Sequence, residues 1–230
     1  IYGLEIIMSK PKKSKKRSGT KLGPVRVLVD CSPHRTTGGR YIEELTQHPI
    51  EHESPNEKHA LWLLPLCHDV LQIRTQASEE PYANPDGGTS HHTPDITVEM
   101  PGGDIVIEIK SLSWLVNEKE LNKYLHVARG YLIRGKCFAF LVDAQLEQKP
   151  LFQSVNLLRR YVRCEINQSV CELIIQQLQD GPLCIHELIT RSPAQLVDVY
   201  VLIARKVICF DWTKPLDCES LVSLPSQPFE

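Results

Sequence analysis

The sequence predicts an α/β protein, a mixed sheet flanked by helices, followed by a smaller helical unit that ends in strands. Three observations carry that expectation. A capped helix signal at 53–64 leads into an alternating segment at 70–76. Two strand-like runs, 95–100 and 105–110, bracket the turn Pro101-Gly102-Gly103-Asp104. A helical stretch at 118–134 then leads into the apolar run from Cys137 to Val142. Helix, strand, hairpin, helix, strand is an order that builds a mixed sheet with helices packed on it.

Composition bounds the rest. The 230 residues suffice for one large domain, or one medium and one small. With 42 % hydrophobic and 23 % charged residues, the chain can fill a core and has an ordinary surface. No apolar stretch approaches the roughly 20 residues of a membrane span. The opening IYGLEII is too short for a signal-peptide core with a preceding basic region, so a cytoplasmic protein is the expectation. Met8 heads a basic tract, and residues 1–7 are read as lying upstream of the true start. None of the eight cysteines forms a C-x-x-C pair, so they are expected to be buried free thiols, and their spacing gives a zinc site no support.

Taken in order, residues 9–24 have no apolar period and read as a disordered arm. Residues 9–21 hold seven cations and no acid; setting them aside from the net charge of −2 leaves −9 on the rest of the chain. Such an arm suits a polyanion or serves as a solubilising leader. Val25 to Val29 reads as a short extended segment, and His34 to Arg40 as a Gly-rich loop. Ser54 is placed to cap a helix, with Pro55 at its first position and Glu57 at the capping-box spacing. Ala60, Leu61 and Leu64 put Glu57 along the buried face, and Pro65 limits the helix. Val70 to Gln76 alternates as a strand, 77–92 reads as a long polar loop, and the hairpin follows. The helix from Glu118 to Arg134 is expected to turn Leu121, Tyr124, Leu125, Ala128 and Leu132 to one face.

A second unit is expected after Pro150. Leu151 to Arg163 reads as a connecting helix, and 169–179 as a helix ending at Gly181. Cys184 to Thr190 is a short helix with Ile185, Leu188 and Ile189 inward. Ser192-Pro193 is expected to cap a third helix, carrying Leu196, Val199, Tyr200 and Ile203. Val207 to Trp212 then reads as a strand before a Lys214-Pro215 turn, giving a winged-helix-like organisation. The expected division is an arm at 1–24, an α/β domain at 25–150 and the small domain at 151–230.

The chemistry concentrates on Asp95, Glu108 and Lys110. Strand side chains alternate, so Glu108 and Lys110 share a face about 7 Å apart, with Ile107 and Ile109 on the other. Asp95 on the paired strand can approach both. Two carboxylates holding Mg²⁺, which keeps several waters of its own, supply much of what phosphodiester hydrolysis needs. Lys110 can orient the attacking water and offset phosphate charge. The plainer reading of Glu108-Ile109-Lys110 is an edge-strand salt bridge. Glu57 is either a third carboxylate or simply the cap partner of Ser54. Gln76 is either a group that positions water or an ordinary strand-end amide. His91 and His92 read as loop passengers without a role, and Trp114 and Tyr124 as core.

The stretches SPHRTTGGR at 32–40, ESPNEKHALWLLPL at 53–66, VLQIRTQ at 70–76, HTPDITVEM at 92–100 and IVIEIK at 105–110 together resemble TnsA, the endonuclease subunit of heteromeric transposases. That family lies in the PD-(D/E)xK superfamily, with a restriction-endonuclease-like fold. The resemblance spans roughly residues 25–145, and the C-terminal unit also agrees with it. It implies catalytic roles for Glu57, Asp95, Glu108 and Lys110, with Gln76 matching a family glutamine and Glu57, Asp95 and Glu108 holding the metal. The family glutamine is usually followed by proline, where this chain has Ala77. Some members carry glutamine at the position of Glu108. The resemblance further implies Mg²⁺ or Mn²⁺, double-stranded DNA cut at the 5′ ends of the transposon, a DDE-type partner TnsB, and an AAA+ ATPase TnsC that contacts the C-terminal region. A free-standing restriction or repair nuclease and a non-catalytic adaptor binding DNA and an ATPase are the competing readings. From 167 onward four cations face eight acids, a balance of −4, which favours docking to protein over DNA.

Overall fold

The computed structural model describes residues 39–42 and 49–225, which fall into two compact units, residues 39–65 with 69–146 and residues 66–68 with 147–225. The basic arm, the segment Val25 to Val29 and Cys31 lie outside the described residues, as does 34–38 of the expected loop. Its last two residues are not loop: β1 (Gly39–Ile42) pairs antiparallel with β2 (Pro49–His52).

In the first unit α1 (Pro55–Leu63) starts where its sequence dictates. Ser54 Oγ accepts the Glu57 N–H at 3.2 Å, and Pro55 occupies the first turn, where its missing N–H costs nothing. Then come β3 (Gln72–Thr75), β4 (Glu80–Ala83) and β5 (Thr89–His92). β4 and β5 form an antiparallel hairpin inside the stretch expected to be loop. Its turn is closed by the Asn84 N–H on Gly88 O at 2.7 Å, with Gly87 at φ 85°. Only Tyr82 and His92 are buried along the two strands, so no apolar alternation betrays them.

The main sheet follows: β6 (Ile96–Met100), β7 (Gly103–Lys110), α2 (Leu112–Leu115), α3 (Glu118–Ile133), β8 (Cys137–Val142) and α4 (Asp143–Leu146). Strand order is β3-β6-β7-β8, antiparallel except for the parallel pair β7–β8 that α2 and α3 connect. This is the mixed sheet flanked by helices that the element order predicts. β7 lies at its centre and is buried on both faces, Val106 and Glu108 on one and Ile107 and Ile109 on the other.

α3 corrects the expected helix face. Asn117 caps it, and the buried residues are Tyr124, Val127, Gly130 and Tyr131, while Leu121, Leu125 and Leu132 are exposed. The tyrosines win because their hydroxyls find partners beneath the helix, and their rings join Tyr82, Val106, Val127, Trp114, Phe138 and Phe140 in one cluster. Gly130 lets α3 approach β4: a Cβ there would meet Tyr82 Cβ at 3.0 Å.

The second unit contains α5 (Lys149–Leu158), α6 (Gln168–Leu178), β9 (Leu183–Cys184), α7 (Ile185–Arg191), α8 (Leu196–Ala204), β10 (Cys209–Phe210) and β11 (Leu221–Ser223). Its strands form an antiparallel sheet in the order β10-β11-β9. Val199 to Ala204 on α8 are all buried at its centre. The cap of α8 is Gln195, whose N–H donates to Asp198 Oδ2 at 2.8 Å, not Ser192. Ser192 instead closes α7, its hydroxyl donating to Leu188 O at 2.7 Å. The expected strand at 207–212 shortens to β10, because Lys206 takes φ 63° and the chain leaves α8 through a turn. The seven described cysteines are free thiols, though none is fully buried, contrary to expectation.

Leu125→Gln should change stability by no more than about 0.5 kcal/mol. Ile96→Ala, at a fully buried position of β6, should cost about 2–5 kcal/mol. Urea unfolding of the two variants checks which side of α3 and of the hairpin carries the core.

Candidate active site

The hairpin of β6 and β7 brings Asp95, Glu108 and Lys110 together as the sequence predicts. Asp95 immediately precedes β6, and its Oδ2 accepts the Ile109 N–H of β7 at 2.8 Å. That bond ties the carboxylate to the neighbouring strand. Lys110 Nζ lies 2.6 Å from Glu108 Oε1 and 3.7 Å from Asp95 Oδ2, bridging the two acids. Its ammonium also sits over the rings of Trp114 and Tyr124, at 5.6 and 5.8 Å from their centroids.

Glu108 differs from the edge-strand carboxylate of the plainer reading. It is only 3 % exposed, because α3 covers its face of the sheet. A buried carboxylate is tolerated when donors replace its water. Three do so: Lys110 Nζ and the Tyr124 hydroxyl reach Oε1 at 2.6 Å each, and His92 Nε2 lies 3.0 Å from Oε2. Tyr124 is therefore both core, as expected, and a donor to the site, while half-buried Trp114 packs edge-on against it.

His92 is the residue that sequence reasoning passed over. It ends β5, not a loop, is buried, and meets the Tyr131 hydroxyl through Nδ1 at 3.0 Å. Its neighbour His91 is exposed. The only sequence signal for this group was the spacing of Tyr124, Val127 and Tyr131 on α3, which the richer leucine stripe masked.

Glu57 combines both of its readings in part. Oε2 accepts the Glu53 N–H at 2.7 Å and Oε1 the Ser54 hydroxyl at 3.0 Å, so it braces the cap, but through the N–H before Ser54 rather than the Ser54 N–H of a true capping box. It nonetheless lies within electrostatic reach of Lys110 and Asp95. Gln76 follows β3, is 4 % exposed, and donates its backbone N–H to Asp95 O at 3.3 Å. Its φ of 43° is in the left-handed region, rare for a residue with a side chain and concentrated at functional sites.

The two acids are pushed in opposite directions. Burial and the charge of Glu108 raise Asp95 to about 7, against the pull of Lys110 and the Ile109 N–H. Burial also acts to raise Glu108, but His92, Lys110 and Tyr124 outweigh it and hold its carboxyl below the ordinary value. Lys110 is raised: burial disfavours its charge, and Asp95 and Glu108 more than compensate. Burial raises Glu57, although the Glu53 N–H and the Ser54 hydroxyl oppose it.

Among the described residues no group of three or more His, Cys, Asp and Glu is arranged to hold a metal. Asp95 and Glu108 nevertheless suit a cation that brings its own waters. Asp95 Oδ1 has no partner among the described residues, and Oε2 of Glu108 carries one donor where Oε1 carries two. No protein-family model matches the chain, and no curated protein matches it.

The raised Asp95 fixes a pH dependence. Between about 4 and about 7 the folded protein holds a proton on Asp95 that the unfolded chain has released, so this group's contribution to stability is lost as pH rises through that window. Without divalent ions, Asp95→Asn should therefore melt higher than the native protein above pH 7, with the difference closing by about pH 4. Thermal melts in chelator across that range check the sign.

Proposed function

We propose that this chain is a metal-dependent DNA endonuclease subunit of a TnsA-type transposition system, hydrolysing phosphodiesters at the 5′ ends of the element. The observation that carries the reading is the Asp95–Lys110–Glu108 cluster on one hairpin, in which a lysine bridges two carboxylates of opposite pKa perturbation. Perturbed titratable groups converging in this way cluster at functional sites. The restriction-endonuclease-like form of the first unit and the winged-helix-like form of the second belong to the same reading. The strand order β3-β6-β7-β8 and the grouping of α6, α7 and α8 with β9–β11 support them.

Asp95 and Glu108 would hold Mg²⁺ or Mn²⁺, with Glu57 as a third carboxylate on the strength of the resemblance. The ion supplies charge neutralisation at the phosphate and a more acidic water. Asp95, poised near neutrality, gives up its proton readily when a cation arrives. Lys110 keeps its charge and places an N–H donor between the carboxylates, where it can orient the nucleophilic water and meet the charge that develops on phosphate oxygens. Gln76, beside Asp95, is suited to holding water or a carboxylate in place. The partners are double-stranded DNA at the transposon ends, a TnsB-type DDE transposase, and a TnsC-type ATPase bound through the acidic C-terminal unit.

With the partner transposase and Mg²⁺, the full chain should cut the 5′ ends of transposon DNA. Asp95→Ala should lower that rate by at least about 100-fold while leaving folding and partner binding intact. Undiminished cutting by Asp95→Ala rules the site out. Cutting by the native chain without partner points to a free-standing nuclease instead.

A further inference from the structure

We propose that His92 is a positioning residue, holding the Glu108 carboxylate in the orientation that a cation shared with Asp95 requires. The inference rests on the nuclease reading and deepens it. A carboxylate only accepts hydrogen bonds, so the His92 Nε2 that meets Oε2 at 3.0 Å carries the proton there. The other ring nitrogen is fixed by the Tyr131 hydroxyl at 3.0 Å, which can donate or accept. The ring itself cannot turn freely. Tyr124 and Tyr131 meet it edge-on, at interplanar angles of 83° and 82° and centroid separations of 5.7 and 5.8 Å.

The placement has a consequence for Glu108. Lys110 and Tyr124 both donate to Oε1, so without His92 nothing among the described residues holds Oε2. The carboxylate could then turn about its last bond to share the two donors between its oxygens. With His92 in place, Oε1 is saturated and Oε2 keeps one free acceptor position. That position and Oδ1 of Asp95, which no described residue meets, are open to a cation. Partners of this kind, one shell removed from the ion, are worth about 10–100-fold in metal affinity or activity. A histidine kept only for packing gives no reason for its donor to be spent on this carboxylate.

The test is Mn²⁺ binding to the full chain, followed by electron paramagnetic resonance and calorimetry, alongside cleavage with the partner transposase. His92→Ala should weaken Mn²⁺ binding about 10–100-fold. His92→Gln, whose amide can place an N–H near the position of Nε2, should restore most of it. Tyr131→Phe keeps the ring stacked on Phe138 and should give a several-fold loss, which serves if His92→Ala fails to fold. Equal Mn²⁺ affinity in the native chain, His92→Ala and Tyr131→Phe overturns the proposal, as does a loss in His92→Ala that His92→Gln does not restore. A native chain that binds no Mn²⁺ overturns both this proposal and the metal site beneath it. Native binding that His92→Ala weakens, without cleavage by any form, supports the positioning role and removes the nuclease reading alone.

Discussion

Burying the charge of Glu108 is the constraint around which the first unit is arranged. β7 is covered on both faces, so the carboxylate at 108 has almost no water to solvate it. An ion in that setting costs several kcal/mol unless donors surround it. The donors come from three elements: Lys110 from the same strand, Tyr124 from α3 and His92 from β5. The β4–β5 hairpin and the rotation of α3 therefore do not merely decorate the sheet. Each delivers one hydrogen bond to the same two oxygens, and the aromatic cluster of Tyr82, Tyr124, Tyr131 and Phe138 is the packing that fixes those donors in place.

The same logic explains why Asp95 behaves differently a few ångströms away. It receives one backbone N–H and a longer ion pair, and it lies beside a carboxylate that already commands the better donors. Its donors keep Glu108 charged, while burial and then the charge of Glu108 hold a proton on Asp95 to about 7. Lys110 is retained by both acids and stays charged.

The hairpin and the α1 cap were legible because each depends on local chemistry. Ser54-Pro55 and Glu57 satisfy one helix start, and Pro101-Gly102-Gly103 lies between two alternating runs. The β4–β5 hairpin was not legible, because strands that bury a single tyrosine and a single histidine show no period of two. α3 misled for a related reason. Leu121, Leu125 and Leu132 make the more hydrophobic stripe, yet leucine offers nothing to a buried carboxylate or imidazole, and the helix turns its tyrosines inward. The role of His92 disappeared with the hairpin, since a histidine assigned to a loop has no face.

Gln76 shows how a local conflict can mark a site. A φ of 43° suits glycine, and a glycine there would accept the turn after β3 without strain. Holding a glutamine in that conformation costs on the order of 1–3 kcal/mol, which persists only where the surroundings impose it. The side chain is not a surface accident, for it is 4 % exposed. Backbone preference and residue choice disagree at the position whose N–H bonds the carbonyl of Asp95. The turn alone does not require the amide, and its backbone bond to Asp95 puts this buried residue next to the acid. That conflict is the support for the proposed place of Gln76 in the site.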